Sequence, residues 1–328
     1  MVRIQAALTF GVLAGLASSC SRSEPVLLTF VGDVLLASAP GEMIRSGGDP
    51  FAAVGPVLAK ADVSIANLEC AVANSGAAVD KPYTFRADPG ALTALQRYVH
   101  VVSLANNHSG DYGPAALRET MQNVRSAGMR LFGAGENLRA AHEPLLLEKR
   151  ELRIGLLGYD EYQPRQFEAG ASAPGVAWSE DEQVEADIAH AHALHADVVV
   201  PFVHWGWEGE GEPSPRQRAL AHKMIDAGAE AVIGAHPHRT QGVEYYRGKL
   251  IVYSLGNFVF DLTESDDERL GWVLQAELDD RGIRRWATLV VRIDRSGVPI
   301  PDAHAETPCG TRMRPTIERC RGGALPEL

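Results

Sequence analysis

The chain has 328 residues, 45% of them hydrophobic, enough apolar material for one large domain or two small ones. Its formal net charge of −11 excludes a general nucleic-acid binder, which would carry a basic face, but leaves room for a local anion pocket. The sequence contains neither a low-complexity tract nor an internal repeat.

The first residues stand apart. Arg3 is the only charge before Cys20, and residues 4–16 are mostly apolar but too short for a comfortable membrane span, which fits a secretory signal over residues 1–19. Leu16-Ala17-Ser18-Ser19-Cys20 resembles a bacterial lipobox, with Ala17 where Leu is usual. The expectation is an exported protein of the cell envelope, held to the membrane by a lipid on Cys20; ordinary cleavage nearby is the alternative. Cys309 and Cys320 lie close together in what reads as a loop-rich tail, and export permits a disulfide between them. Cys70 reads as a small buried residue.

In chain order, residues 26–31 read as a strand ended by Gly32-Asp33, residues 51–60 as a short helix, and residues 63–66 as a strand followed by Asn67-Leu68-Glu69. Asp88-Pro89 starts a helix expected to reach Arg97. Residues 101–104 form the next strand, ending at Asn106-Asn107-His108, and residues 114–127 a helix stopped by Gly128. A strand at 152–158 precedes a helix whose capping box is Ser179-Glu180-Asp181-Glu182. Its His190, His192 and His195 do not share one face and are not taken as ligands. A strand at 198–203 ends at His204. A second capping box, Ser214-Pro215-Arg216-Gln217, opens a helix closed by Gly228. A strand at 231–234 leads to His236 and His238, and a hairpin at 241–246 and 249–254 turns on Arg247-Gly248. After Asp261 the pattern turns to antiparallel strands at 272–278 and 283–293, which points to a mixed α/β sandwich of two sheets.

In an open α/β sheet, ligands bind beyond the carboxyl ends of strands. Five such ends here carry Asp33; Asn67 with Glu69; Asn106, Asn107 and His108; His204; and His236 with His238. Carboxylate, amide and imidazole together suit Mn, Fe or Zn better than Ca, which prefers oxygen alone. Two ions about 3.5–4 Å apart can share a bridging carboxylate and hold a hydroxide between them.

The runs F-V-G-D-V-L-L, A-N-L-E, S-L-A-N-N-H-S-G-D-Y-G, H-W-G-W-E, G-A-H-P-H-R-T-Q-G and Y-S-L-G-N-F-V-F-D, in this order, resemble the CapA family of capsule or poly-γ-glutamate synthesis proteins, relatives of the calcineurin-like metallophosphatases. The resemblance covers residues 27–261. It implies an α/β fold, a four-layer αββα sandwich of the metallophosphatase type with mixed sheets. The corresponding domain spans residues 26–263, with residues 264–328 as a β extension and tail packed on it. It further implies two divalent ions, Mn, Fe or Zn. Asp33 and His238 would hold the first ion, Asn107, His204 and His236 the second, and Glu69 would bridge them. His108 would face the substrate as the catalytic residue. Those phosphatases carry Asp-x-His at the first motif, where this chain has Val34 and Leu35 after Asp33, and an aspartate where Glu69 stands. Arg86, Asn67 and Asn106 are weaker candidates for contacting substrate. Asp111 and Tyr112 are expected to brace the Asn-His loop, Asn257 to be a turn residue, and Glu208, Glu210 and Glu212 to form a solvated loop. The implied activity is hydrolysis of a phosphoester or an amide by the metal-held hydroxide. The alternative is a non-catalytic assembly or export protein that binds an anionic polymer, with other capsule-synthesis proteins as partners.

Overall fold

The computed structural model describes residues 24–328, so the expected signal and lipid-anchor residues, Cys20 included, lie outside the described residues. Two sheets carry the architecture. The larger has the eight-strand path Arg314–Arg321, Glu306–Thr311, Gly282–Ile293, Leu270–Asp279, Val26–Val34, Val63–Leu68, Val101–Ser103, Arg130–Phe132, with Asn257–Val259 and Pro299–Pro301 attached to it. The smaller runs Thr240–Tyr246, Lys249–Leu255, Ala231–Ala235, Val198–His204, Leu152–Asp160, Leu145–Lys149. Both mix parallel and antiparallel pairs.

Three apolar clusters separate four layers. Leu28, Phe30, Ile65, Ile154, Leu156, Val200 and Phe202 meet between the sheets. Leu68, Leu117, Met121 and Val124 pack the Gly113–Ser126 helix on the outer face of the larger sheet. Leu157, Tyr159, Val184, Ile188, Val203, Leu220 and Met224 pack the Asp181–Ala193 and Pro215–Asp226 helices on the outer face of the smaller one. Strands covered on both faces read as continuous apolar runs, which is why V-V-V-P-F-V was legible. The result is a four-layer αββα sandwich.

A bulge at Gly32 determines which way Asp33 points. Val31 pairs with Ala66 and Asp33 with Asn67, so one residue is inserted between them. Side chains alternate across a sheet, and without the insertion Asp33 would lie opposite Leu68, on the outer apolar face. The bulge puts it beside Asn67, facing the other sheet. A Cβ at Gly32 would collide with the carbonyl oxygen of Gly256, the approach that lets the Asp33 N–H donate to that oxygen at 3.1 Å.

Several expectations change. The 51–60 helix is a single turn, Gly55–Leu58, with Pro56 in its first turn, where the missing N–H costs nothing. The 88–97 helix is a 3-10 turn, Pro89–Ala91, capped by Asp88, followed by Leu92–Leu95. A helix at Ser38–Arg45 went unread. Ser179 is not a cap: its N–H is spent on the Asp160 carbonyl, its side chain is buried, and Glu180 takes the N-cap position. The Ser214–Gln217 capping box is present. Cys309 and Cys320 are disulfide-bonded, but across a two-stranded extension of the larger sheet rather than a loop-rich tail. Cys70 is buried and, among the described residues, free.

Gly32→Ala should destabilise the protein by about 1–3 kcal/mol, the usual cost of overpacking a filled interior. Thermal denaturation measures it; an unchanged midpoint would show that the bulge tolerates a side chain.

Candidate metal centre

The strand ends converge. Asp33, Asn67, Glu69, Asn107, His204 and His236 are all buried, and His238 is partly so. Their donor atoms form two overlapping groups, Glu69 with His204 and His236, and Asp33 with Glu69 and His238. Glu69 belongs to both. His204 Nε2 lies 2.9 Å from Asn107 Oδ1, 2.9 Å from His236 Nδ1 and 3.5 Å from Glu69 Oε1. One ring nitrogen gives or takes a single proton: if His204 Nε2 donates, it serves one of the two oxygens, and if it accepts from His236 Nδ1, it serves neither, so the Asn107 and Glu69 oxygens are not both satisfied in any tautomer. Among the described residues, neither Glu69 oxygen nor His236 Nε2, all buried, has a hydrogen-bond partner. Groups of this kind are costly unless hydrogen-bonded or bound to a cation. The donor set, mixed oxygen and nitrogen, therefore fits divalent transition-metal ions.

The electrostatics agree. Burial, reinforced by the charges of neighbouring histidines, holds the His204 and His236 imidazoles well below their usual range, so both keep lone pairs to offer. Burial and the nearby Asp33 charge push the Glu69 carboxyl well above its own. At His238, burial opposes protonation but is outweighed by Glu69 and Asp33, and the ring is pushed up to about 10. Protons thus stand in for cations at Glu69 and His238.

A supporting shell fixes the donors. Asn67 Nδ2 donates to Asp33 Oδ1 at 2.7 Å and contacts His204 Nδ1 at 3.1 Å. Asn106 Nδ2 donates to Asn67 Oδ1 and to the Leu68 carbonyl, and its Oδ1 accepts from the His108 N–H. Both asparagines thus have their amides committed inside the protein and serve as positioning residues, not substrate contacts. Asn257, expected as a turn residue, lies in a strand paired to Val26–Val34 and accepts from His238 Nδ1 at 2.8 Å, which leaves Nε2 for the centre. His236 and His238 both sit in the left-handed region, at φ 97° and 56°, a strain of about 1–3 kcal/mol each of the kind that gathers at functional sites. Tyr162, which the sequence did not flag, sets its ring against His236 with centroids 4.7 Å apart.

His108 lies beside this group, and its ring stacks on Phe85 at 4.2 Å. Its Nδ1 meets Asp111 Oδ2 at 2.7 Å, and Lys81 Nζ, also unflagged by sequence, donates to Asp111 Oδ1 and to the Asn107 carbonyl, both at 2.7 Å. Burial lowers the His108 pKa against the pull of Asp111. A cleft of about 410 Å³ opens over His108 and His238, lined also by Tyr83, Phe260 and Glu208. Arg86 is not part of it. Its guanidinium stacks over the Tyr112 ring at 4.3 Å and lines a separate depression, which removes the support for Arg86 as a substrate contact.

The family model described as bacterial capsule synthesis protein PGA_cap matches residues 27–262. The chain belongs to this family. It is 34% identical over 280 residues to the capsule biosynthesis protein CapA of Bacillus anthracis, covering 79% of this chain and 66% of that one. Against the PGA biosynthesis protein CapA of Bacillus subtilis it is 32% identical over 294 residues, 84% of this chain and 76% of that one. The chain thus spans just under two thirds of the first relative's length. Among solved structures, the NAD nucleotidase of Haemophilus influenzae aligns with a TM-score of 0.49 at 10% identity, over 93% of this chain and 54% of that one; the layers and ligands described above do not depend on that likeness.

Metal uptake by the PGA_cap chain should release protons, since Glu69 and His238 hold theirs more firmly than free side chains do. Apparent affinity should therefore rise with pH up to about 10, where His238 loses its proton. Calorimetric titration of chelator-treated protein in buffers of different ionisation enthalpy reads this directly, and His236→Ala should abolish most of the uptake. Buffer-independent heats would contradict it.

Proposed function

We propose that this protein is a divalent-metal-dependent hydrolase that cleaves a phosphoester or an amide during capsule or poly-γ-glutamate formation. The names of its relatives support the setting. The observation that carries the catalytic reading is His108. A purely structural metal site has no use for an imidazole held at Nδ1 by a buried carboxylate, with its other nitrogen left free at the edge of a cleft.

Asp33, Glu69, Asn107, His204, His236 and His238 would hold two ions, with Glu69 between them. When bound, the ions supply Lewis acidity and lower the pKa of a coordinated water. The chain's own residues do the rest. Asn67 and Asn257 orient the donors. Phe85 and Phe260 pack on His108 and His238 and keep water from one side of each ring. Asp111 fixes the His108 proton on Nδ1, so that Nε2 can take a proton from, or return it to, the reacting oxygen.

The cleft also weighs against the assembly reading. Its lining includes Glu208, Glu264 and Glu268 and neither lysine nor arginine. Within this cleft a polyanion would meet carboxylates, apart from the ions themselves. Such a surface suits reaction at one bond better than electrostatic holding of a polymer.

His108→Ala should keep its metal, by elemental analysis, and lose about 10²–10⁴-fold in hydrolysis of an aryl phosphoester or a γ-glutamyl anilide, the usual contribution of general acid–base assistance. Wild-type protein at full metal occupancy with no activity on any such substrate would favour the assembly role.

A further inference from the structure

From the sequence, the W-G-W-E-G-E-G-E segment after His204 reads as a solvated acidic loop. In the structure it is fastened to the segment that carries His236 and His238. Gly209 N–H donates to the Pro237 carbonyl at 2.9 Å, and Arg239 Nη1 donates to the Gly209 carbonyl at 2.8 Å. Gln241 Nε2 donates to the carbonyls of Glu210 at 3.0 Å and Glu212 at 3.2 Å. The three glutamates divide as a result. Glu210 and Glu212 turn backbone inward, and the Glu212 side chain is 87% exposed. Glu208 is the one of the three that lines the cleft, with a carboxylate oxygen within 4.8 Å of ring nitrogens of both His236 and His238.

Donor counts show where this carboxylate belongs. Among the described residues, Glu69, His204, His236 and Asn107 gather on one side of the centre, and Asp33, Glu69 and His238 on the other. First-row divalent ions commonly take four or more ligands. His236, which shares a candidate donor group with Glu208 and His238, also has a buried Nε2 with no hydrogen-bond partner among the described residues. We propose that Glu208 is a further ligand of the metal centre, reaching in from the solvent side to complete the shell of the ion beside His238. Glu208 is exposed whereas the other carboxylates are buried, so it is the ligand placed to yield when a substrate oxygen arrives. This inference rests on the metal-centre reading above.

The test is a titration of chelator-treated full chain with Mn(II) or Zn(II) alone, comparing wild type, Glu208→Gln and Glu210→Gln. Circular dichroism melting of the metal-free forms confirms that each folds. Glu208→Gln should weaken one of the two binding events by about 10–100-fold, at least the loss seen when a ligand's supporting partner is removed. Glu210→Gln, from the same loop, should bind as wild type does. Two ions bound with unchanged affinity in Glu208→Gln would overturn the role of Glu208 while leaving the centre intact. Wild type that binds no ion would overturn both.

Discussion

Glu69 sits in the interior with neither carboxylate oxygen accepting a hydrogen bond. Burial, reinforced by the charge of Asp33 beside it, raises its pKa. An ionised carboxylate taken out of water costs several kcal/mol unless something positive compensates it. Here Asp33 adds to that cost and His204 and His236 are held neutral, so among the described residues the protonated His238 offsets it, and the space these groups share is where a cation would do the rest. The rest of the site follows from keeping those groups together. The Gly32 bulge turns Asp33 toward Glu69, the left-handed backbone at His236 and His238 aims two rings from one short loop, and Asn67 joins the sheets across the gap.

The arrangement separates two tasks. Donors that touch the centre come from both sheets, so it lies at the junction of the layers, where the inter-sheet core ends. His108 belongs to a second network, Asp111 and Lys81, which ties the loop after Val101–Ser103 to the loop around residue 81. The two meet at Asn106-Asn107-His108, where Asn106 Oδ1 accepts from the His108 N–H and Lys81 Nζ donates to the Asn107 carbonyl, so a change confined to the His108 side chain is the one that leaves the donors in place. A His108 side-chain variant therefore separates metal content from the proposed proton transfer.

Much of this was legible in the sequence, for identifiable reasons. Strands such as Val198–His204, buried on both faces, show as uninterrupted apolar runs, and each ends on the polar residue it delivers. The CapA-like motifs gave the family, and the layered fold came with them. What stayed hidden depends on contacts between distant segments or on single-residue shifts. Gly32 reads as a strand stop, because a bulge has no period of its own. Asn257 reads as a turn residue until His238, 19 positions earlier, is brought against it. Ser179 matches a capping box, but tertiary pairing with Asp160 takes its backbone first. Arg86 looked suited to an anion, yet the neighbouring Tyr112 ring claims it.

The central claim is that a buried carboxylate holds two cations together. Crystals grown with Mn(II), with data collected at its absorption edge, test this most directly. The account predicts two anomalous peaks about 3.5–4 Å apart, one on either side of the Glu69 carboxylate. A metal-saturated crystal with no anomalous peak among Asp33, Glu69, His204, His236 and His238 would contradict it.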